Sequence, residues 1–211
     1  AQLKAMLTAH GLRPVAGHWG YKLVAGELAQ VTAEAKALGV TYVGVGMIPR
    51  PGNAPLTEAQ ILAAAEVFNR AGAALARDGL QFVYHVHGHE FAPHGDGRTL
   101  FDLLAEKTDP RFVAFEIDVF WTVYAGQDPV KVMQKHPGRW PLLHVKDMKP
   151  ETKGDLSGRT DKANDYPVGS GMVDVIAALR EGVKQGTKHY FIEDESPEPL
   201  RQIPQSLRYL E

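Results

Sequence analysis

The 211-residue chain contains no cysteine, which removes disulfides, thiol nucleophiles and cysteine-ligated metals from consideration. No apolar run approaches the roughly 18–20 residues a membrane helix requires, so no membrane partner is expected. Charge is nearly balanced, 23 basic against 25 acidic residues, and no block of Lys and Arg stands out. A nucleic-acid surface needs such clustering, so no nucleic-acid partner is expected either. There is no low-complexity segment and no composition shift that would mark a domain boundary. There is also no secretory signal pattern and no initiator methionine. The chain opens with AQLKAMLTAHG, already inside an amphipathic pattern, as expected if an upstream segment has been removed. The lack of cysteine does not discriminate a cytoplasmic from an exported protein. What remains is 44% apolar and 23% charged, an ordinary globular composition in a chain long enough for one core.

Apolar strand patterns alternate with helical ones along the chain. Leu3, Met6 and Leu7 share a helical face that Gly11 terminates. Strands are expected at RPVAGHW (13–19), VTYVGVGMI (40–48), LQFVYHVH (80–87), FVAFEIDVFW (112–121), PLLHVKD (141–147) and KHYFIED (188–194). Helices are expected at about 26–38, from a Thr57/Gln60 capping box to about Asp78, and at about 99–107. Three more run from Asp128-Pro129 to about His136, onward from Asp174, and over about 200–209. Residues 149–171 form a polar loop whose Lys153, Arg159 and Lys162 suit a solvated surface better than a cover over substrate. GVGMIP lacks the third glycine of a dinucleotide fingerprint, and Met47 and the other methionines fit a core. Six strands, each followed by a helix, make a parallel α/β sheet.

The strand ends carry the chemistry. His18, then His85 and His87, Asp118, His144 and Glu193 each close an apolar stretch before a loop. They therefore sit at the C-terminal ends of parallel strands. In a closed (β/α) barrel those ends converge on one face, whereas in an open sheet they line an edge and cannot all meet. Strand alternation puts Glu116 with Asp118, His144 with Lys146, His85 with His87, and Phe191 with Glu193 on shared faces. Such His, Asp and Glu residues suit Mn²⁺, Zn²⁺, Fe²⁺, Co²⁺ or Mg²⁺. His89 and His94 lie in a polar loop and fit solvent, and Glu90 suits a cap or an orienting group. Trp19 and Trp121, next to site strands, suit a sugar-stacking wall or barrel packing equally.

At these residues the chain resembles the xylose-isomerase-like TIM-barrel family. That group includes sugar phosphate isomerases/epimerases, inosose dehydratases, hydroxypyruvate isomerases and endonuclease IV. FVYHVHGHEF (82–91) is similar to its YHNHDFEF segment. FEIDVFWTVYAGQDPVKVMQKHPGRWPLLHVKDM (115–148) and YPVGSGMVDVIAALREGVKQGTKHYFIEDE (166–195) resemble its later strands. The resemblance implies a TIM (β/α)8-type barrel in a single domain over 1–211, lacking about the first two strands. A fragment, a truncated reading frame, or a chain completed by a second copy as a homo-oligomer would each account for that. It also implies a divalent metal, Mn²⁺ first, with Asp118, His144 and Glu193 as ligands. The family's fourth ligand is a Glu on strand 5, where this chain has His85 and His87, so one of them, His85 first, takes its place.

The function implied is a metal-dependent sugar isomerase or epimerase. It would remove a proton next to a carbonyl of a sugar or ketosugar through a metal-stabilised enediolate. Glu193 is the first candidate base, with His87 or Lys146 acting on the other face. His18, Trp121, His85 and Glu116 would contact substrate. Elimination, as in an inosose dehydratase or a ketoglycoside lyase, shares the first step and stands as the alternative. A non-catalytic sugar-binding paralogue or inactive fragment is the alternative outside catalysis.

Overall fold

A computed structural model describes residues 2–211 of the chain. Helix α1 (Gln2–Ala9) precedes β1 (Ala16–His18), α2 (Tyr21–Gly26) and α3 (Leu28–Leu38). Then come β2 (Tyr42–Val45), α4 (Glu58–Arg77), β3 (Gln81–His85) and α5 (Leu100–Lys107). β4 (Val113–Asp118) runs directly into α6 (Val119–Tyr124), followed by α7 (Pro129–Lys135) and β5 (Leu142–Val145). A two-residue pair, β6 (Asp147–Met148) and β7 (Asp165–Tyr166), precedes α8 (Val175–Gln185), β8 (His189–Ile192) and α9 (Pro199–Leu210).

Six strands form one parallel sheet in the order β1-β2-β3-β4-β5-β8, and β6 pairs with β7 antiparallel. The sheet is a TIM-barrel-like half-barrel. β1 and β8 each keep one edge without a strand partner among the described residues. Alternate residues of the strands face the helices. Val43, Val45, Phe82, Tyr84, Phe115, Ile117, Leu143 and Val145 join Val31, Ile61, Phe68, Leu75, Leu104 and Met133 in the main core. Each such buried side chain contributes about 1.5–3 kcal/mol of transfer free energy. On the concave face, Tyr42, Val83, Ala114 and Leu142 pack with Val15, Ala16 and Phe191 into a second apolar layer.

Local signals explain the helix starts. Thr57 accepts from the Gln60 N–H while Gln60 Oε1 accepts from the Thr57 N–H, the expected capping box. Asp128 accepts from the N–H groups of Val130 and Lys131 with Pro129 at the first helical position. Asp174 caps α8 through the Ala177 N–H.

Three expectations change. The strand expected over 112–121 stops at Asp118, whose Oδ1 accepts from the Trp121 N–H and starts α6. That helix is buried on almost every side, so its apolar run carries no helical period. The 149–171 loop exposes Lys153, Arg159 and Lys162 as expected, but it is not solvated surface throughout, because it contributes β7 and is tied to the barrel. The buried Asp147 carboxylate accepts four backbone N–H groups, from Met148, Gly169, Gly171 and Val173, at 2.7–3.0 Å. The methionines divide: Met133 and Met148 are buried, whereas Met6, Met47 and Met172 are exposed.

Candidate active site

The concave face carries an ionisable layer above its apolar one. Strand register sets Glu116 beside His85 on one neighbour, and Asp118 beside His144 on the other. Glu116 is the centre of the cluster. Its Oε2 lies 2.6 Å from His18 Nε2 and 2.9 Å from His85 Nδ1, and its Oε1 lies 3.1 Å from His144 Nε2. His18 comes from β1, two strands away from β3, and must cross β2 to reach Glu116. Gly44 makes that crossing possible, since a Cβ there would sit 2.3 Å from His18 Cδ2.

Electrostatics follow from this packing. Burial opposes the charge of Glu116, but hydrogen bonds from His144, His18 and His85 outweigh it and hold the carboxyl well below the usual carboxylate range. Burial pushes His85 down to about 3 against the pull of Glu116. For His144 burial loses to the hydrogen bonds it donates to Glu116 and Glu193, and its pKa rises to about 10. Asp118 is fully buried, and that desolvation lifts it to about 7. Its Oδ2 accepts from none of the described residues and lies 4.0 Å from His144 Nδ1.

Glu193 is half-buried, with Oε2 3.3 Å from His144 Nδ1 and 3.4 Å from Lys146 Nζ. Burial would raise its pKa, but His144 and Lys146 hold it well below the usual range. It lines a cavity of about 340 Å³ with His18, Glu116, His144 and Phe191. Lys146 is fully buried and also meets Asp165 at 3.4 Å and Glu195 at 3.0 Å. Burial disfavours its charge, but the carboxylates of Asp118, Glu193 and Asp165 more than compensate and raise its pKa. It is therefore held as an ammonium, a hydrogen-bond donor that neither accepts nor readily releases a proton at neutral pH. The half-buried His87 sits with its ring 5.6 Å from Trp121 and 4.6 Å from His85, and burial lowers its pKa. No described residue gives its Nδ1 a partner. Trp121 is itself buried, its ring packed on Phe120 and Tyr124.

His18, His85, His87, Glu116, Asp118, Trp121, His144, Lys146 and Glu193 thus lie at one end of the sheet, whereas the Trp19 indole donates to Glu34 on α3 instead. Two groups bring ligand atoms within 4.8 Å of one another: His18 with His85 and Glu116, and His85 with Asp118 and His144. An orphaned buried carboxylate oxygen beside imidazoles is what a divalent cation would satisfy, so the donor set fits a metal. Strand spacing placed Glu116 on the site face but did not reveal that it gathers three imidazoles. The sequence reading also missed a second buried cluster. His89 is 1% exposed rather than solvated, and Glu90 is fully buried, accepting from the Tyr84 hydroxyl and the His87 N–H. The available signal was Phe91, an apolar residue closing HGHEF, which is unusual for a solvated loop.

A parallel half-barrel with its ionisable residues at the C-terminal strand ends is the architecture of TIM-barrel enzymes. The chain belongs to the xylose isomerase-like TIM barrel family, whose profile matches residues 1–211. It is similar to the structure of a sugar phosphate isomerase/epimerase from Parabacteroides distasonis ATCC 8503. The TM-score is 0.80 at 26% identity, over 99% of this chain and 74% of that one. The IOLI protein, crystallised with a zinc atom, shares the fold at 16% identity with TM-score 0.73, covering 99% of this chain and 79% of that one. An inosose dehydratase of Geobacillus thermodenitrificans is 27% identical over 138 residues, 62% of this chain and 45% of that protein. The chain thus matches less than half the length of that curated relative.

Proposed function

We propose that this chain carries the catalytic mouth of a divalent-metal-dependent enzyme that isomerises or epimerises a sugar or ketosugar. The observation that carries the proposal is the gathering of His18, His85 and His144 around Glu116, beside the unpaired Oδ2 of Asp118. Asp118, His144, Glu193 and His85 are the proposed ligands, with Glu116 and His18 as a second set of donors around the same centre. Mn²⁺ is the first candidate, and Zn²⁺, Mg²⁺, Co²⁺ and Fe²⁺ share the ligand preference. A cation there supplies Lewis-acid stabilisation for negative charge developing on a substrate oxygen.

The protein's own groups would do the rest. Glu193 faces the cavity as a carboxylate and can take a proton from the carbon beside the carbonyl. His87, with a free nitrogen next to Trp121, can hold or return a proton on the other side. Lys146 stays charged and keeps Glu193 ionised and aimed. Return of the proton to the same carbon gives epimerisation, and to its neighbour isomerisation. The inosose dehydratase relative favours a second reading, elimination of a β-hydroxyl after the same first step.

The test is elemental analysis of protein purified without chelator, with His144→Ala alongside, followed by ketosugar incubation in D₂O. Near-stoichiometric metal, lost in the variant, with deuterium entering next to the carbonyl, is expected. Metal-free protein after soaking with each candidate ion, or no exchange in a metal-loaded sample, overturns the proposal and leaves a non-catalytic sugar-binding role.

A further inference from the structure

A recess of about 330 Å³ lies beyond His87, between the segment after β2 (Arg50, Pro55) and the long loop (Asp155, Leu156, Ser157), with His89 and Ala92 also lining it. We infer that it is a subsite for the hydroxyl groups of an uncharged sugar unit, and not for phosphate. The inference rests on the proposed function in one respect, that this unit is the far end of the same substrate.

His89 carries the argument. It is 1% exposed, yet neither ring nitrogen has a hydrogen-bond partner among the described residues. Nε2 lies 3.1 Å from Glu90 Oε1 without hydrogen-bond alignment. A neutral imidazole holds one donor and one acceptor, and burying either unpaired is costly. A hydroxyl satisfies both kinds of need. Gly158 packs closely on one side of this ring, where a Cβ would lie 2.7 Å from His89 Nδ1, and its φ of +66° disfavours any side chain.

The charges around the recess select the ligand class. Arg50 supplies a guanidinium, one nitrogen of which donates to the Ser157 carbonyl at 3.2 Å. Opposite it stands the Asp155 carboxylate, and beneath His89 lies the buried Glu90. One guanidinium and one carboxylate in the lining leave no surplus positive charge for a phosphate dianion. Guanidinium, carboxylate and imidazole together form the mixed donor and acceptor set that neighbouring hydroxyls match. The position fits a substrate running out of the mouth. The His85 and His87 rings are 4.6 Å apart, and those of His87 and His89 are 6.2 Å apart and stacked.

The experiment is an NMR titration of ¹⁵N-labelled, metal-loaded protein with methyl β-D-glucopyranoside and, separately, with inorganic phosphate. The glucoside is expected to give saturable shifts at the Arg50 Nε–H and the Ser157 N–H, at least tenfold weaker in Arg50→Gln. Phosphate is expected to leave those signals in place. Arg50 is half-buried in a loop, and the unchanged remainder of the spectrum reports that the variant is folded; the phosphate comparison needs no variant. Glucoside shifts confined to the surroundings of His144 and Glu193, unchanged affinity in Arg50→Gln, or saturable phosphate shifts at Arg50 would each overturn the subsite. Proton exchange in D₂O reports on the mouth separately. A filled recess without exchange sinks the proposed function alone, and exchange without recess binding sinks the subsite alone.

Discussion

Replacing Gly44 by alanine isolates the step that brings β1 to the site. The added Cβ would stand 2.3 Å from His18 Cδ2 and 2.9 Å from its Nε2. His18 is the mobile partner, with 38% of its side chain exposed on an edge strand, so it swings outward and gives up its 2.6 Å bond to Glu116. A hydrogen bond to a charged group contributes about 1.5–3 kcal/mol. Replacing glycine in a strand returns about 0.5–1 kcal/mol through the unfolded chain. Glu116 keeps His85 and His144, so no charge is orphaned. Net destabilisation is therefore about 0.5–2.5 kcal/mol, small enough to leave the fold intact. Metal affinity should fall about ten- to hundredfold, the usual loss when a group that donates to or orients a metal centre is removed. Competition against a chromogenic chelator measures this for Gly44→Ala and His18→Ala side by side, and the two should match. Wild-type affinity in Gly44→Ala with weakened His18→Ala would refute the claim that the missing Cβ admits His18. Wild-type affinity in both would refute His18 as a ligand.

Asp147→Asn leaves a single carbonyl oxygen to serve four N–H donors, and should cost about 2–5 kcal/mol in urea unfolding, with the 168–173 segment losing amide protection. Asp102 opposes its burial with bonds from His136, Lys135 and the Thr99 cap, which hold its pKa well below the usual value. Its contribution is therefore fully present above the unfolded value of about 3.9 and is lost as pH falls through the lower folded value. The stability gap between wild type and Asp102→Asn should stay level from neutral pH to about 5 and narrow below about 4. A gap that widens on acidification would contradict the sign. Chelation of the metal-loaded protein should lower its melting temperature. Ligand at a thousandfold over its Kd contributes about 4 kcal/mol, and an unchanged melting temperature would speak against the centre.

Much of this architecture was legible in the chain because the determining interactions are local. The Thr57/Gln60 box and the Asp128 and Asp174 caps act within four residues, and strand alternation of period two assigns faces without knowing neighbours. From these alone the parallel order of helices and strands follows, and with it the placing of His18, His85, Asp118, His144 and Glu193 at one end of the sheet. Alternation cannot say which side chains touch. Glu116 meets His18 across 98 residues of sequence because the sheet curls and β2 offers a glycine at the crossing. α6 was hidden because a helix buried on nearly all sides has no polar face to betray its period. His89 read as solvated because its burial is imposed from outside its own segment, by the loop that carries Gly158. Backbone and capping preferences are written in neighbouring residues, whereas burial and charge depend on which distant segments the closed packing brings together, and those only the tertiary structure decided.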